Sequence, residues 1–185
     1  MITKKNKRFE KSDKKRYEIP ENDPQYHFFY STSSPFSNFH PAPFVDEQGN
    51  YFFCSEQYMM YQKAILFGDS ETAKEILAEE SEPKNCKRLG RRVQNFDDEI
   101  WGSNARRIVA EGVYFKFTQN PSMKKVLLET NNMKLVEAAP QDRVWGIGYS
   151  EAKALLVPRN RWGKNWLGSV LMGVRERIQM EDIVE

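Results

Sequence analysis

The stretch Ser55-Glu56-Gln57-Tyr58-Met59-Met60-Tyr61-Gln62-Lys63-Ala64 predicts the first turns of a helix around which the rest of the 185-residue chain is organised. Ser55 can cap the free N–H groups, and Glu56 sits where the helix dipole favours a negative charge. Seven residues, almost two whole turns, separate Glu56 from Lys63, so a carboxylate and an amine project from one face with Met59 and Met60 between them. A solvated helix with charges at helical spacing is the ordinary alternative. Two features count against it: the helix is otherwise apolar and aromatic, and it follows the dense segment Tyr51-Phe52-Phe53-Cys54. Partial burial of the pair is the expectation.

Toward the N-terminus, His27-Phe28-Phe29-Tyr30 reads as a strand and the Ser/Pro-rich run from Ser31 to Pro43 as a loop. Phe44-Val45 and Tyr51-Phe52-Phe53 then flank Asp46-Glu47-Gln48-Gly49-Asn50 as a hairpin. Inside the loop, Pro35-Phe36-Ser37-Asn38-Phe39 is either plain turn chemistry or the lining of a pocket for a polar ligand. Toward the C-terminus the pattern turns helical. Asp69 or Ser70 caps one helix through Ala78, and Ser81-Glu82-Pro83 opens another that runs out at Gly90. Asp97 starts the longest helix, with Ile100, Trp101, Ala105, Ile108, Val109 and Val113 on an apolar stripe toward Phe117. Asn120-Pro121 opens a shorter helix with Met123, Val126 and Leu127, and a last one carries Leu167, Val170, Leu171, Val174 and Ile178. Between those two, Leu135-Val136-Glu137-Ala138 reads as a strand followed by the glycine-containing Asp142-Arg143-Val144-Trp145-Gly146-Ile147-Gly148. Strands that do not alternate with helices exclude βαβ units, so the expected fold is α+β: one largely helical domain with a small, mainly antiparallel sheet. No G-x-G-x-x-G follows a strand and no G-x-x-x-x-G-K-S/T occurs.

Charge is unevenly placed. Residues 1–16 hold eight of the 28 Lys and Arg but only Glu10 and Asp13 of the 26 acids, which leaves 20 basic against 24 acidic residues in 17–185. The net charge of +2 therefore comes from this arm, and the remainder is no basic cradle. Low apolar content and then Pro20 and Pro24 predict a disordered arm over residues 1–25 and a folded domain over residues 26–180. A solvated tail, a phosphate-contacting arm for nucleic acid and a nuclear-import signal are the readings of the arm. With no membrane-length apolar run and no signal peptide, a cytoplasmic protein is expected, or a nuclear one on the import reading. Cys54 and Cys86 form no C-x-x-C pair, and His27 and His40 fit no metal spacing, so no structural or catalytic metal is expected and no cofactor is implied.

Several motifs then stand together in order: Pro35 to Phe39, Ser55-Glu56-Gln57-Tyr58 with Gln62-Lys63-Ala64, Leu89-Gly90-Arg91, Lys116-Phe117-Thr118-Gln119-Asn120, Leu135 to Ala138, Asp142 to Gly148, and Trp162-Gly163-Lys164-Asn165-Trp166-Leu167-Gly168. In this the chain resembles the NADAR (YbiA-like) family from about Tyr26 to Ile178. The resemblance implies an N-glycosidase acting on ribose joined to an amine. One branch is similar to enzymes of phosphorylated ribosyl-pyrimidine intermediates in riboflavin synthesis, another to hydrolases that remove ADP-ribose from guanine in nucleic acid. It places Glu56, Lys63 and Asp142 at the chemistry and Ser37, Asn38, Arg91, Trp101, Trp145 and Gly146 at the substrate. Many members have His where this chain has Gln57, so no imidazole role carries over. The residues themselves agree in part. Trp101 on an apolar stripe is by default core, Trp145 beside two glycines is better placed to stack on a base, and Lys87, Arg88, Arg91 and Arg92 form either a solvated helix end or a phosphate clamp.

A non-catalytic ADP-ribose or nucleic-acid reader is the reading from another class, and the presence of Glu56, Lys63 and Asp142 together counts against it. Between the hydrolases, the basic arm suits a polyanionic substrate and no deaminase or reductase segment accompanies the motifs, which favours ADP-ribosylated guanine over a riboflavin precursor. Deleting residues 1–16 is expected to raise KM and flatten the salt dependence on an ADP-ribosylated oligonucleotide while leaving turnover of a small ADP-ribosyl nucleoside unchanged. Steady-state kinetics against ionic strength check this.

Overall fold

A computed structural model describes residues 25–184; the arm expected over residues 1–25 lies, but for Gln25, outside the described residues. In chain order the elements are β1 (Tyr26–Phe29), β2 (Phe44–Val45), β3 (Tyr51–Phe52), α1 (Ser55–Leu66), α2 (Ser70–Leu77), α3 (Pro83–Gly90) and α4 (Asp98–Gln119). After these come α5 (Pro121–Glu129), β4 (Lys134–Glu137), α6 (Glu151–Ala154), a 3-10 turn (Arg159–Arg161) and α7 (Trp166–Val184). The fold is α+β and largely helical, as expected.

Local chemistry explains most helix starts. The Asp69 carboxylate accepts from the Thr72 N–H at 3.0 Å, and the Asp97 carboxylate accepts from the Glu99 and Ile100 N–H groups at 2.9 and 2.8 Å, each satisfying donors that a first turn leaves free. Pro83 and Pro121 open α3 and α5, where a missing N–H costs nothing. The start of α1 is different from expectation. Ser55 is already the first helical residue, Cys54 stands at the cap position without a side-chain bond, and the Ser55 hydroxyl is buried with no partner among the described residues. Capping comes from a distance instead: the Asn38 carbonyl accepts from the Glu56 N–H at 2.9 Å, while Gln57 Oε1 accepts from the Phe53 N–H at 2.9 Å.

The strands form two pairs. β2 and β3 are the antiparallel hairpin, with Phe44 opposite Phe52 and Val45 opposite Tyr51. The longer pair, β1 with β4, is parallel, from Tyr26 opposite Lys134 to Phe29 opposite Glu137. Parallel neighbours need a long crossover, and here the crossover is the hairpin and α1 to α5.

α1 packs against α2, α3 and α4, and α7 lies across α4 and β4. The main core runs through Phe36, Met59, Met60, Phe117, Leu135 and Leu171, with a second cluster of Phe44, Phe52, Tyr58 and Ile108 under the hairpin. Residues 55–60 are buried without exception, so the first turns of α1 have no solvated face. The apolar stripe of α4 is buried only from Ala105 onward; Ile100, 49% exposed, lies in a first turn that stays at the surface, and Val126 in α5 is 40% exposed.

Helices approach α1 closely at glycines. A Cβ at Gly112 would stand 2.5 Å from Tyr58 Cδ1, and one at Gly90 would overlap the Met60 side chain. Gly112→Ala is therefore expected to destabilise the protein by roughly 1–3 kcal/mol, because Tyr58 is held among Phe44, Phe52 and Phe115 and has no free direction to move. The midpoint of urea unfolding, read by circular dichroism, checks this.

Candidate active site

The buried first turn of α1 puts Glu56, 5% exposed, inside the protein. Burial raises its carboxyl from an ordinary 4.5 to about 7; the Asp142 charge adds to the rise, while Lys87 and Arg91 oppose it. Its neighbour Gln57 is equally buried and structural: the amide donates to the Ile76 carbonyl at 3.0 Å and the Glu79 carbonyl at 2.7 Å, tying α1 to α2.

The loop that supplies the cap carries two expected binding residues. Ser37 and Asn38 are both buried. Lys116, 1% exposed on α4, donates to the Ser37 carbonyl at 2.8 Å, and burial pushes its amine down to about 7. The loop is thereby fixed from behind. Asn38 uses its backbone carbonyl on Glu56, and its side-chain Oδ1 is buried with no hydrogen-bond partner among the described residues.

β4 and the loop after it close the other side. Strand alternation sends Glu137 to the same side as Leu135, toward the main core. Its Oε2 is buried with no partner among the described residues, and desolvation, then the Asp142 and Glu56 charges, raise the carboxyl from 4.5 to about 7 against Lys87. Asp142 Oδ1 accepts from the Val144 and Trp145 N–H groups, each at 2.8 Å, which closes the turn. Gly146 serves packing: a Cβ there would lie 2.8 Å from the Glu137 carbonyl oxygen and 2.9 Å from Ala139 Cβ. Trp145 is half-buried, edge-on to Trp166 with centroids 5.5 Å apart.

Lys63 occupies the far end, about 10 Å along the axis of α1 from Glu56 at 1.5 Å per residue. Its Nζ donates to the Gly90 carbonyl at 2.8 Å and lies 4.1 Å from the Phe96 ring centroid and 5.7 Å from that of Trp101. Desolvation lowers the amine's pKa, and the opposing charge is Asp98 rather than Glu56. Gly90 joins the two ends, because Arg91, which follows it, is one of the cations acting on Glu56.

The expected residues thus include a group around Glu56, made of Asp142, Asn38 and Arg91, and a second group of Lys63 with Trp101. Sequence reasoning missed Glu137, Phe96 and Lys116, and named Lys87 only as part of a solvated helix end or a phosphate clamp. Two of these had a signal: Glu137 is a lone acid among apolar strand residues, and Lys116 falls three residues after Val113 on a buried stripe. A cavity of about 370 Å³ at the end of the β1/β4 pair, lined by His27, Phe29, Tyr30, Ser34, Ala138 and Glu151 among others, is bounded by none of the expected site residues. Among the described residues, no group of three or more His, Cys, Asp or Glu is arranged to hold a metal ion, and no helix is long and apolar enough to cross a membrane.

The NADAR domain family model matches residues 27–179. The chain belongs to the NADAR family. Among NADAR relatives, N-glycosidase R617 of Acanthamoeba polyphaga mimivirus is 46% identical over 149 residues, 78% of this chain and 87% of that protein. The chain is also 32% identical to the chloroplastic riboflavin biosynthesis protein PYRR of Zea mays over 181 residues, 87% of this chain but 27% of that longer protein. The NMR structure of Escherichia coli YbiA superposes with a TM-score of 0.72 at 31% identity, covering 88% of this chain and 89% of YbiA. The NADAR fold is therefore shared along nearly the whole described chain.

The burial of Glu56 makes a test of sign possible. Its folded pKa lies above its unfolded one, so ionisation between 4.5 and about 7 costs stability, and that cost is complete above neutrality. Glu56→Gln is expected to match the wild type at about pH 4, below the unfolded pKa, and to exceed it by roughly 1–3 kcal/mol at about pH 8. Thermal unfolding at the two pH values checks it.

Proposed function

We propose that this N-glycosidase cleaves the bond between ribose C1′ and an amine nitrogen with Lys63 as nucleophile, and that its substrate is ADP-ribosylated guanine in nucleic acid. The observation that carries the reading is the Lys63 amine, half-buried against Phe96 and Trp101, with desolvation favouring its neutral form. An exocyclic amine on C1′ forms an aminal-like centre whose ring opens to an imine. Neutral Lys63 adds to C1′, the C1′–base nitrogen bond breaks, and the base amine departs with a proton from a carboxyl group. Water then hydrolyses the lysyl imine and returns the amine.

Glu56 and Asp142 serve proton transfer and the stabilisation of positive charge on the sugar. The cations Lys87 and Arg91 beside Glu56 suit phosphate, and Trp101 and Trp145 suit a flat base. Ser37, Asn38 and Gly146 take the remaining substrate contacts in this reading, supported by the Asn38 Oδ1, which is without a partner among the described residues. A riboflavin-type phosphorylated precursor is the second reading, favoured by the likeness to PYRR. Purified protein offered both substrates, with the released amine identified, separates the two.

Borohydride added during turnover is expected to leave a ribosyl adduct on Lys63, seen as a mass increase on its peptide. Lys63→Arg keeps the charge and is expected to lose at least about 10²-fold in kcat. An active Lys63→Arg enzyme with no trapped adduct would assign the reaction to direct attack by water.

A further inference from the structure

We propose, resting on the nucleic-acid reading of the substrate above, that residues 143–166 and Arg106 of α4 form the surface that holds the phosphate backbone of the substrate strand. Charge is concentrated there. Residues 143–166 contain Arg143, Lys153, Arg159, Arg161 and Lys164 against Glu151 alone, although residues 17–185 as a whole carry more acids than bases. Arg106, Arg143, Lys153, Arg161 and Lys164 are all exposed, and none of them forms an ion pair among the described residues. Other cations do find acids: Arg107, next to Arg106, pairs with Glu111 at 2.8 Å, and Arg177 pairs with Glu181 at 2.8 Å.

Aromatic rings hold this set in place instead. The Lys164 ammonium lies 4.9 Å and the Arg106 guanidinium 5.2 Å from the Trp166 ring centroid, and Trp145 braces Trp166 edge-on. Arg143 and Lys153 lie 5.6 and 5.5 Å from the Tyr149 centroid. Backbone bonds join the two clusters. The Arg143 carbonyl accepts from the Lys164 N–H at 2.8 Å, the Val144 carbonyl accepts from the Trp166 N–H at 3.1 Å, and the Arg143 guanidinium donates to the Arg161 carbonyl at 2.8 Å. A cation resting on a ring keeps N–H donors for a phosphate, which one closed onto a carboxylate does not. The surface also begins at the rim of the candidate site, since Asp142 precedes Arg143 and its Oδ1 accepts from the Trp145 N–H at 2.8 Å. A strand whose modified base enters the site lays its neighbouring phosphates along these cations. Chemistry on a base takes it out of the duplex stack, so the strand is single at that point. Val144 and Leu156, 40% and 53% exposed, would suit a lipid surface as well, but a membrane gives the adjoining site nothing to act on.

The test is binding of an unmodified single-stranded oligonucleotide to the full chain, read by fluorescence anisotropy across ionic strength. The variant Arg106→Gln/Lys153→Gln/Lys164→Gln is expected to bind about tenfold more weakly, with the slope of log affinity against log salt reduced by about 2, three lost phosphate contacts at about 0.7 each. Lys74→Gln/Lys125→Gln/Lys134→Gln removes the same charge from exposed residues of α2, α5 and β4 and is expected to bind as the wild type does. On an ADP-ribosylated oligonucleotide the first variant should show a raised KM and unchanged kcat, with an unaltered melting temperature. Equal binding by the first variant and the wild type, equal weakening in both variants, or no binding by the wild type would overturn the proposal. Capture of the wild type by phosphatidylserine vesicles but not by the oligonucleotide would assign the surface to a membrane and also overturn it. If the oligonucleotide binds as expected but no ADP-ribosylated substrate is turned over, the substrate reading falls and the surface stands.

Discussion

Placing a carboxyl group inside the protein at the first turn of α1 is the constraint on which the surrounding structure depends. A helix N-terminus ordinarily favours a negative charge by about 0.3–1 kcal/mol. Desolvation runs the other way and wins, since a rise from 4.5 to about 7 corresponds to a net preference for the neutral acid of roughly 3 kcal/mol. Such a group is tolerated only where the backbone around it is otherwise satisfied. The Asn38 carbonyl meets the Glu56 N–H, Gln57 closes the turn onto Phe53, and Lys116 holds the Asn38 loop from beneath through Ser37. Two buried polar side chains, Gln57 and Lys116, and the backbone carbonyl of Asn38 thus keep one carboxyl in place.

The same helix also measures the site. Glu56 and Lys63 share a face but answer to different charges: those acting on Glu56 come from α3, its cap residue and the β4–α6 loop, and the one acting on Lys63 comes from the first turn of α4. An ionised glutamate as the main charge partner of a lysine would hold it as ammonium, whereas desolvation lowers the Lys63 amine beside aromatic rings and the Gly90 carbonyl. The two ends communicate through α3, whose last residue binds Lys63 and whose cap residue, Arg91, acts on Glu56.

Much was legible in the chain by itself. Hydrophobic periodicity fixed the long helices, Asp69, Asp97, Pro83 and Pro121 marked their starts, and the Asp46 to Asn50 turn marked the hairpin, because caps and turns act through neighbours within a few residues. The ordered motifs placed the chain in its family, and the i, i+7 spacing placed a carboxyl and an amine on one helix face. What only the tertiary structure decided involves partners far apart in sequence. Ser55 lost the capping role to Asn38, β1 found a parallel partner over a hundred residues away, and Glu137 joined Glu56 although one is on a strand and the other on a helix. Whether a carboxyl is a solvated charge or a neutral acid near neutral pH depends on how much water its neighbours exclude and which charges they bring, and those neighbours are chosen by packing rather than by adjacency along the chain.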